Sequence, residues 1–114
     1  MKNYLLTYAE QLATNIELLC QNTKAPSNTL YQLRKSSSSV YANIREGNYG
    51  QSKADMLSKF EIALKESSET EGWLQLLLNT HAINEETFKP LRNLCGRIRR
   101  MLIASCKTLK ANLK

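Results

Sequence analysis

The sequence predicts an all-α protein, an antiparallel up-down-up-down bundle of four helices, on three observations. Leu, Ala, Lys, Glu, Ser and Asn dominate, β-branched runs are scarce, and only 4 Gly and 2 Pro interrupt 114 residues. Apolar residues recur at three- and four-residue spacing through four segments, near residues 2–21, 28–48, 52–80 and 85–112. The breaks between them are short, which makes consecutive helices antiparallel neighbours. With 42% hydrophobic and 23% charged residues the composition is globular, and the length suits one domain over 1–114. A domain of this size buries only a modest core, so oligomerisation is a natural supplement.

The first helix carries Leu5, Ala9, Leu12, Ile16 and Leu19 as one stripe, and Asn22-Thr23-Lys24-Ala25-Pro26 breaks it. Pro26 disfavours helix at Ala25 and leaves Ser27 or Asn28 to cap the second helix. That helix carries Leu30, Leu33, Ser37, Val40 and Ile44, with Asn43 on the flank, and Gly47, Asn48 and Gly50 are its stop and turn. The third starts at an N-cap, Ser52, with Asp55 three residues on. Its stripe is Met56, Phe60, Ala63, Ser67, Thr70, Leu74 and Leu77, a coiled-coil-like rhythm that Gly72 interrupts at a cost of about 1 kcal/mol relative to Ala. Asn84 caps the fourth helix, Glu85 and Glu86 suit its first turn, and Pro90 is tolerated because it lies near that end.

The run Ser36-Ser37-Ser38-Ser39 has the composition of a linker but falls inside the second helix. Counting outward from the turn sets Ile44 near Met56, Val40 near Phe60, and Ser37 near Ala63 and Ser67. Small residues then let two backbones approach, with hydroxyls bonding to carbonyls one turn earlier. A nucleophilic serine needs a base, and the single histidine, His81, sits at the far end of the third helix, so serine catalysis is disfavoured. An Arg45–Asp55 ion pair is expected to steady the turn, worth about 0–1 kcal/mol. Asn43, Glu69 and Glu71 are expected to make polar contacts across the helix pair rather than an acid/base site. No Glu-x-x-His pattern invites a metal, the Gly47–Gly50 turn is too short for a nucleotide loop, and no cofactor is expected.

Cys20, Cys95 and Cys106 are odd in number with no C-x-x-C spacing, which reads as buried free thiols in a reducing compartment. The N-terminal residues lack a signal-peptide apolar region, and no run approaches transmembrane length, so a cytoplasmic protein without membrane contact is expected.

The segments S-S-S-S-V-Y-A-N-I-R-E-G and Q-S-K-A-D-M-L-S-K-F-E-I-A-L-K-E-S-S-E-T-E-G-W-L-Q-L-L resemble the bacterial four-helix-bundle family encoded in intervening sequences of 23S rRNA genes. The likeness is strong over Leu30 to Leu78 and rests elsewhere on length and helix layout. The family pattern maps onto Ser36, Ser37, Ser39, Val40, Ala42, Asn43, Arg45 and Glu46, then Ser52, Lys53, Ala54 and Asp55, then Glu69, Trp73 and Leu74. These are fold residues. Gly47 and Gly72 stand where many members carry larger residues. The resemblance implies a ring-like homopentamer and kinship with the accessory variability proteins of diversity-generating retroelements, basic pentamers that bind nucleic acid and a reverse transcriptase. It brings no catalytic residues.

The net charge is +6. At 100° per residue, Lys89, Arg92, Arg99, Arg100, Lys107, Lys110 and Lys114 fall in a sector about 100° wide on the fourth helix. Leu91, Leu94, Cys95, Ile98, Leu102, Leu109 and Leu113 take the opposite side, Arg97 lies between, and no acidic residue follows Glu86. Solvated helix faces usually mix signs, so a single sign points to phosphates, bound with little sequence preference and strong salt dependence. Arg34, Lys35 and Arg45 are candidate additions. Tyr31, Tyr41, Tyr49 and Trp73 are scattered rather than arrayed for base stacking, Trp73 reads as a packing or subunit-contact residue, and Tyr4 and Tyr8 share a face suited to an interface. The expected function is therefore that of a non-enzymatic, oligomeric RNA- or DNA-binding accessory protein, with a protein-interaction scaffold as the alternative.

Overall fold

The computed structural model describes residues 3–113, and Lys114 and the expected first-helix start at residue 2 lie outside them. Four helices account for nearly all of these: α1 (Tyr4–Gln21), α2 (Ser27–Asn48), α3 (Lys53–Asn79) and α4 (Glu85–Asn112), with no strand among the described residues. Side-chain caps set three of the starts. Asn3 Oδ1 accepts from Leu6 N, Ser52 Oγ from Asp55 N, and Asn84 Oδ1 from Thr87 N, at 3.0, 3.0 and 2.9 Å. α2 differs from expectation. Ser27 is already helical and neither it nor Asn28 caps, because Pro26 (φ −54°, ψ 137°) holds the cap backbone and its carbonyl accepts from Leu30 N at 3.2 Å.

The stop and turn expected at Gly47, Asn48 and Gly50 use no left-handed glycine, since no glycine among the described residues has a positive φ. Tyr49 N–H bonds the Arg45 carbonyl and Gly50 N–H bonds the Gly47 carbonyl, closing the helix without one. Gly47 is buried inside α2, and a Cβ there would lie 2.7 Å from the Phe60 ring. A Cβ on Gly50 would lie 2.6 Å from Asp55 Oδ2, so Asp55 folds toward the turn backbone. The expected Arg45–Asp55 ion pair does not form; Arg45 instead donates to Tyr41 Oη at 3.3 Å and lies over the Tyr49 ring. α3 ends with His81 at φ 63°, its N–H bonded to the Leu78 carbonyl and that of Ala82 to the Leu77 carbonyl, a Schellman closure with histidine where glycine is usual.

The core draws on every helix: Leu5, Leu12 and Ile16 from α1, Leu33, Val40 and Ile44 from α2, Phe60, Leu74 and Leu77 from α3, and Phe88, Ile98 and Leu102 from α4. Each helix packs on two neighbours, α1 on α2 and α4, α3 on α2 and α4, while the backbones of α2 and α4 make no close approach. Leu113 departs from its expected buried place and is 47% exposed.

Small residues do line the α2–α3 contact, in a shifted register. Phe60 packs on Gly47 rather than Val40, and Thr70 meets Ser36, nearly two turns from the symmetric count. Gly47 leaves room for the ring, and that room sets the offset. Thr70 Oγ1 donates to Ser36 Oγ at 2.9 Å, and Ser36 Oγ donates to the Leu33 carbonyl at 3.1 Å. Ser37 and Ser38 donate to the carbonyls of Arg34 and Lys35. Ser67, fully buried, has a hydroxyl without a hydrogen-bond partner among the described residues.

Candidate nucleic-acid interface

The apolar stripe of α4 turns Leu91, Cys95, Ile98, Leu102 and Leu109 inward. The helix thereby presents Lys89, Arg92, Arg97, Arg100, Lys107 and Lys110 to solvent, with Arg99 half-buried. α3 alters the charge of this face. The Arg99 guanidinium donates to Glu71, and Lys110 Nζ lies 3.4 Å from Glu61 Oε2. The face that carries one sign along α4 alone is thus partly compensated by its neighbour. Among the described residues, Lys89, Arg92, Arg100 and Lys107 have no carboxylate partner. From Lys89 to Lys107 is 18 helical steps, about 27 Å at 1.5 Å per residue.

Arg97 leans toward α1. Its Nη1 donates to Tyr8 Oη at 3.3 Å, and its guanidinium lies 5.1 Å from the centre of the Tyr8 ring. Tyr8 in turn stacks with Tyr4, ring centres 6.3 Å apart. Arg92 lies over the Phe88 ring. Arg92, Asn93, Arg97, Arg99, Arg100 and the Glu71 carboxylate line a shallow hollow with Gly96 in its floor. A Cβ on Gly96 would lie 3.3 Å from Arg100 Nη1.

Sequence reasoning missed Gly96, Glu71 and Tyr8 as parts of this surface. Gly96 carried a signal: at 100° per residue it falls inside the basic sector.

The α2 candidates are not brought to this surface, since α2 packs against α1 and α3 and its backbone makes no close approach to α4. Arg34 Nε donates to Glu17 Oε2 at 2.9 Å, Arg45 rests on Tyr41 and Tyr49, and Lys35 is exposed. The pattern residues divide between core and turn. Ser37 and Val40 are buried, Trp73 is half-buried, Ser52 caps α3, and Glu46 lies 3.8 Å from Lys59. The expected contact of Asn43, Glu69 and Glu71 is absent. Asn43 Nδ2 bonds back to Ser39, Glu71 turns to Arg99, and Glu69 lies beside Glu66.

Burial pushes the Cys95 thiol up to about 12, with Glu71 adding to the rise and Arg99 opposing it. Cys20 and Cys106 are raised by burial as well, and all three are free and buried, which disfavours the reactive thiolate. Among the described residues no group of three or more His, Cys, Asp or Glu is placed to hold a metal ion. Nor is any described helix long and apolar enough to cross a membrane.

The model of the 23S rRNA-intervening sequence protein family matches residues 2–104. The chain is also similar to a crystal structure from Bacteroides thetaiotaomicron, of a protein with unknown function from the S23 ribosomal protein family. The two share 35% identity and a TM-score of 0.86, over 90% of this chain and 98% of that one. No curated protein matches the chain.

Proposed function

The chain belongs to the 23S rRNA-intervening sequence protein family, and we propose that it is a non-enzymatic nucleic-acid-binding accessory protein that grips phosphates through α4. The observation that carries this reading is the row of cations Lys89, Arg92, Arg100 and Lys107, exposed along one side of a rigid helix without carboxylate partners among the described residues. A row of this kind favours phosphate over neutral ligands and reads little sequence, because phosphate contacts fix position and carry no base information.

In this reading the helices form an up-down-up-down antiparallel bundle that assembles as a cytoplasmic homopentamer. Five copies carry five times the charge of one chain, and avidity multiplies individually weak contacts. A reverse transcriptase is the protein partner that the retroelement resemblance suggests. Binding of structured RNA measured from low to physiological salt tests the proposal. Affinity that falls steeply with salt supports it, and absent or salt-insensitive binding at low ionic strength removes it.

A second reading, a protein-interaction scaffold, is favoured by one observation. Leu76 is exposed beside half-buried Trp73 and the open side of Gly72 on α3, in a hollow shared with Gln32 of α2. A protein partner that stays bound after nuclease treatment supports it.

A further inference from the structure

The geometry points to unpaired strands as the nucleic acid this face takes, with a base on the open Tyr4 ring, backed by Tyr8 and Arg97, and phosphates in the arginine hollow over Gly96. This inference rests on the proposed phosphate-binding role and narrows it to a substrate class. Arg97 joins the two halves. It is part of the rim of the Gly96 hollow, and it also lies over the Tyr8 ring and donates to the Tyr8 hydroxyl. The Tyr8 ring is 6.3 Å from that of Tyr4 and tilted by 27°, and Tyr4 is 54% exposed. The surface therefore runs from cations to a guanidinium over an aromatic ring to a second, open aromatic ring.

That sequence of chemistries matches a single strand. Each nucleotide offers a charged phosphate and a flat base, and a free base stacks on an aromatic or guanidinium plane. A duplex has its bases already stacked and offers such rings nothing but its backbone. The missing Cβ at Gly96 adds to the fit. It lets the Arg100 guanidinium lie close over the helix backbone, where a phosphate between Arg92 and Arg100 would meet it while Arg99 stays tied to Glu71, whose carboxylate also lines the hollow.

The test measures binding of a labelled 12-nucleotide single-stranded RNA, the same sequence as DNA, and the corresponding duplex to the intact protein, the Tyr4→Ala variant and the Arg97→Gln variant. Circular dichroism checks that each variant is folded. The single strands are expected to bind about tenfold more tightly than the duplex. Tyr4→Ala is expected to weaken single-strand binding about tenfold, as for loss of one stacked base, while leaving duplex binding unchanged. The RNA and DNA arms report whether the 2′-hydroxyl adds to this shared chemistry. Duplex binding equal to that of the single strand, with Tyr4→Ala within twofold of the parent, overturns the inference and leaves the phosphate-binding role standing. Tyr4→Ala that changes only the oligomer size in light scattering overturns it equally, by making the tyrosines a subunit contact. Binding of no nucleic acid at low salt removes the inference and the underlying function together.

Discussion

The Arg99 guanidinium of α4 donates to the Glu71 carboxylate of α3, so one arginine of the basic face is neutralised by the neighbouring helix. Replacing Glu71 with Gln keeps the side chain's size and frees the arginine charge. Nucleic-acid affinity at low salt should rise, and the slope of log affinity against log salt should steepen by about 0.7 to 0.9, one phosphate contact. The Arg99 side chain is 41% exposed, so the ion pair contributes less than about 1 kcal/mol to stability and the variant should remain folded.

Gly47→Ala sets two effects against each other. Alanine is a better helix former by about 1 kcal/mol. Its Cβ would stand 2.7 Å from the ring of Phe60, which is 2% exposed. Overpacking of this kind costs about 1 to 3 kcal/mol, so the variant should be destabilised in urea unfolding. A gain in stability would show that the ring does not set the register of α2 on α3.

Ser67→Ala should act in the opposite direction. The Ser67 hydroxyl is fully buried and has no partner among the described residues, a penalty of about 1 to 3 kcal/mol that alanine removes. Thr70→Val, by contrast, removes the donor to Ser36 and should destabilise. Thermal unfolding of both variants checks the pair of signs.

Glu66 makes stability depend on pH. Burial raises its pKa, followed by the nearby Glu69 and the hydrogen bond shared with it, while Lys65 and Lys35 oppose the rise. The folded state therefore holds this proton more tightly than the unfolded chain. The resulting penalty is present at neutral pH, where the group is ionised in the folded state, and is relieved as pH falls through the raised pKa toward the usual carboxylate range. Glu66→Gln should be more stable than the parent at pH 7, with the difference shrinking toward pH 4. A difference that grows on acidification would reverse the sign of the coupling.

Much of the architecture was legible because the stripes of α1 and α3 are nearly unbroken, and buried Ser67 and Thr70 keep the period of the leucines beside them. Caps at Ser52 and Asn84 were legible for the same local reason. The α2–α3 register was not, because it depends on the Phe60 ring seating on Gly47, a contact between residues 13 apart that periodicity does not report. The basic face was visible along one helix but incompletely so. Helical angles place cations correctly on α4 yet say nothing of Glu61 and Glu71 on α3, or of Tyr8 on α1, which decide which cations stand alone.

The central claim is that unpaired α4 cations hold phosphates, and the salt dependence of RNA binding tests it most directly. Four such cations, at about 0.7 each on a single strand, give a slope near −3 per bound protomer, and the Arg92→Gln/Arg100→Gln double variant should fall to about half of that. Equal slopes and equal affinities for the parent and the double variant would contradict the account.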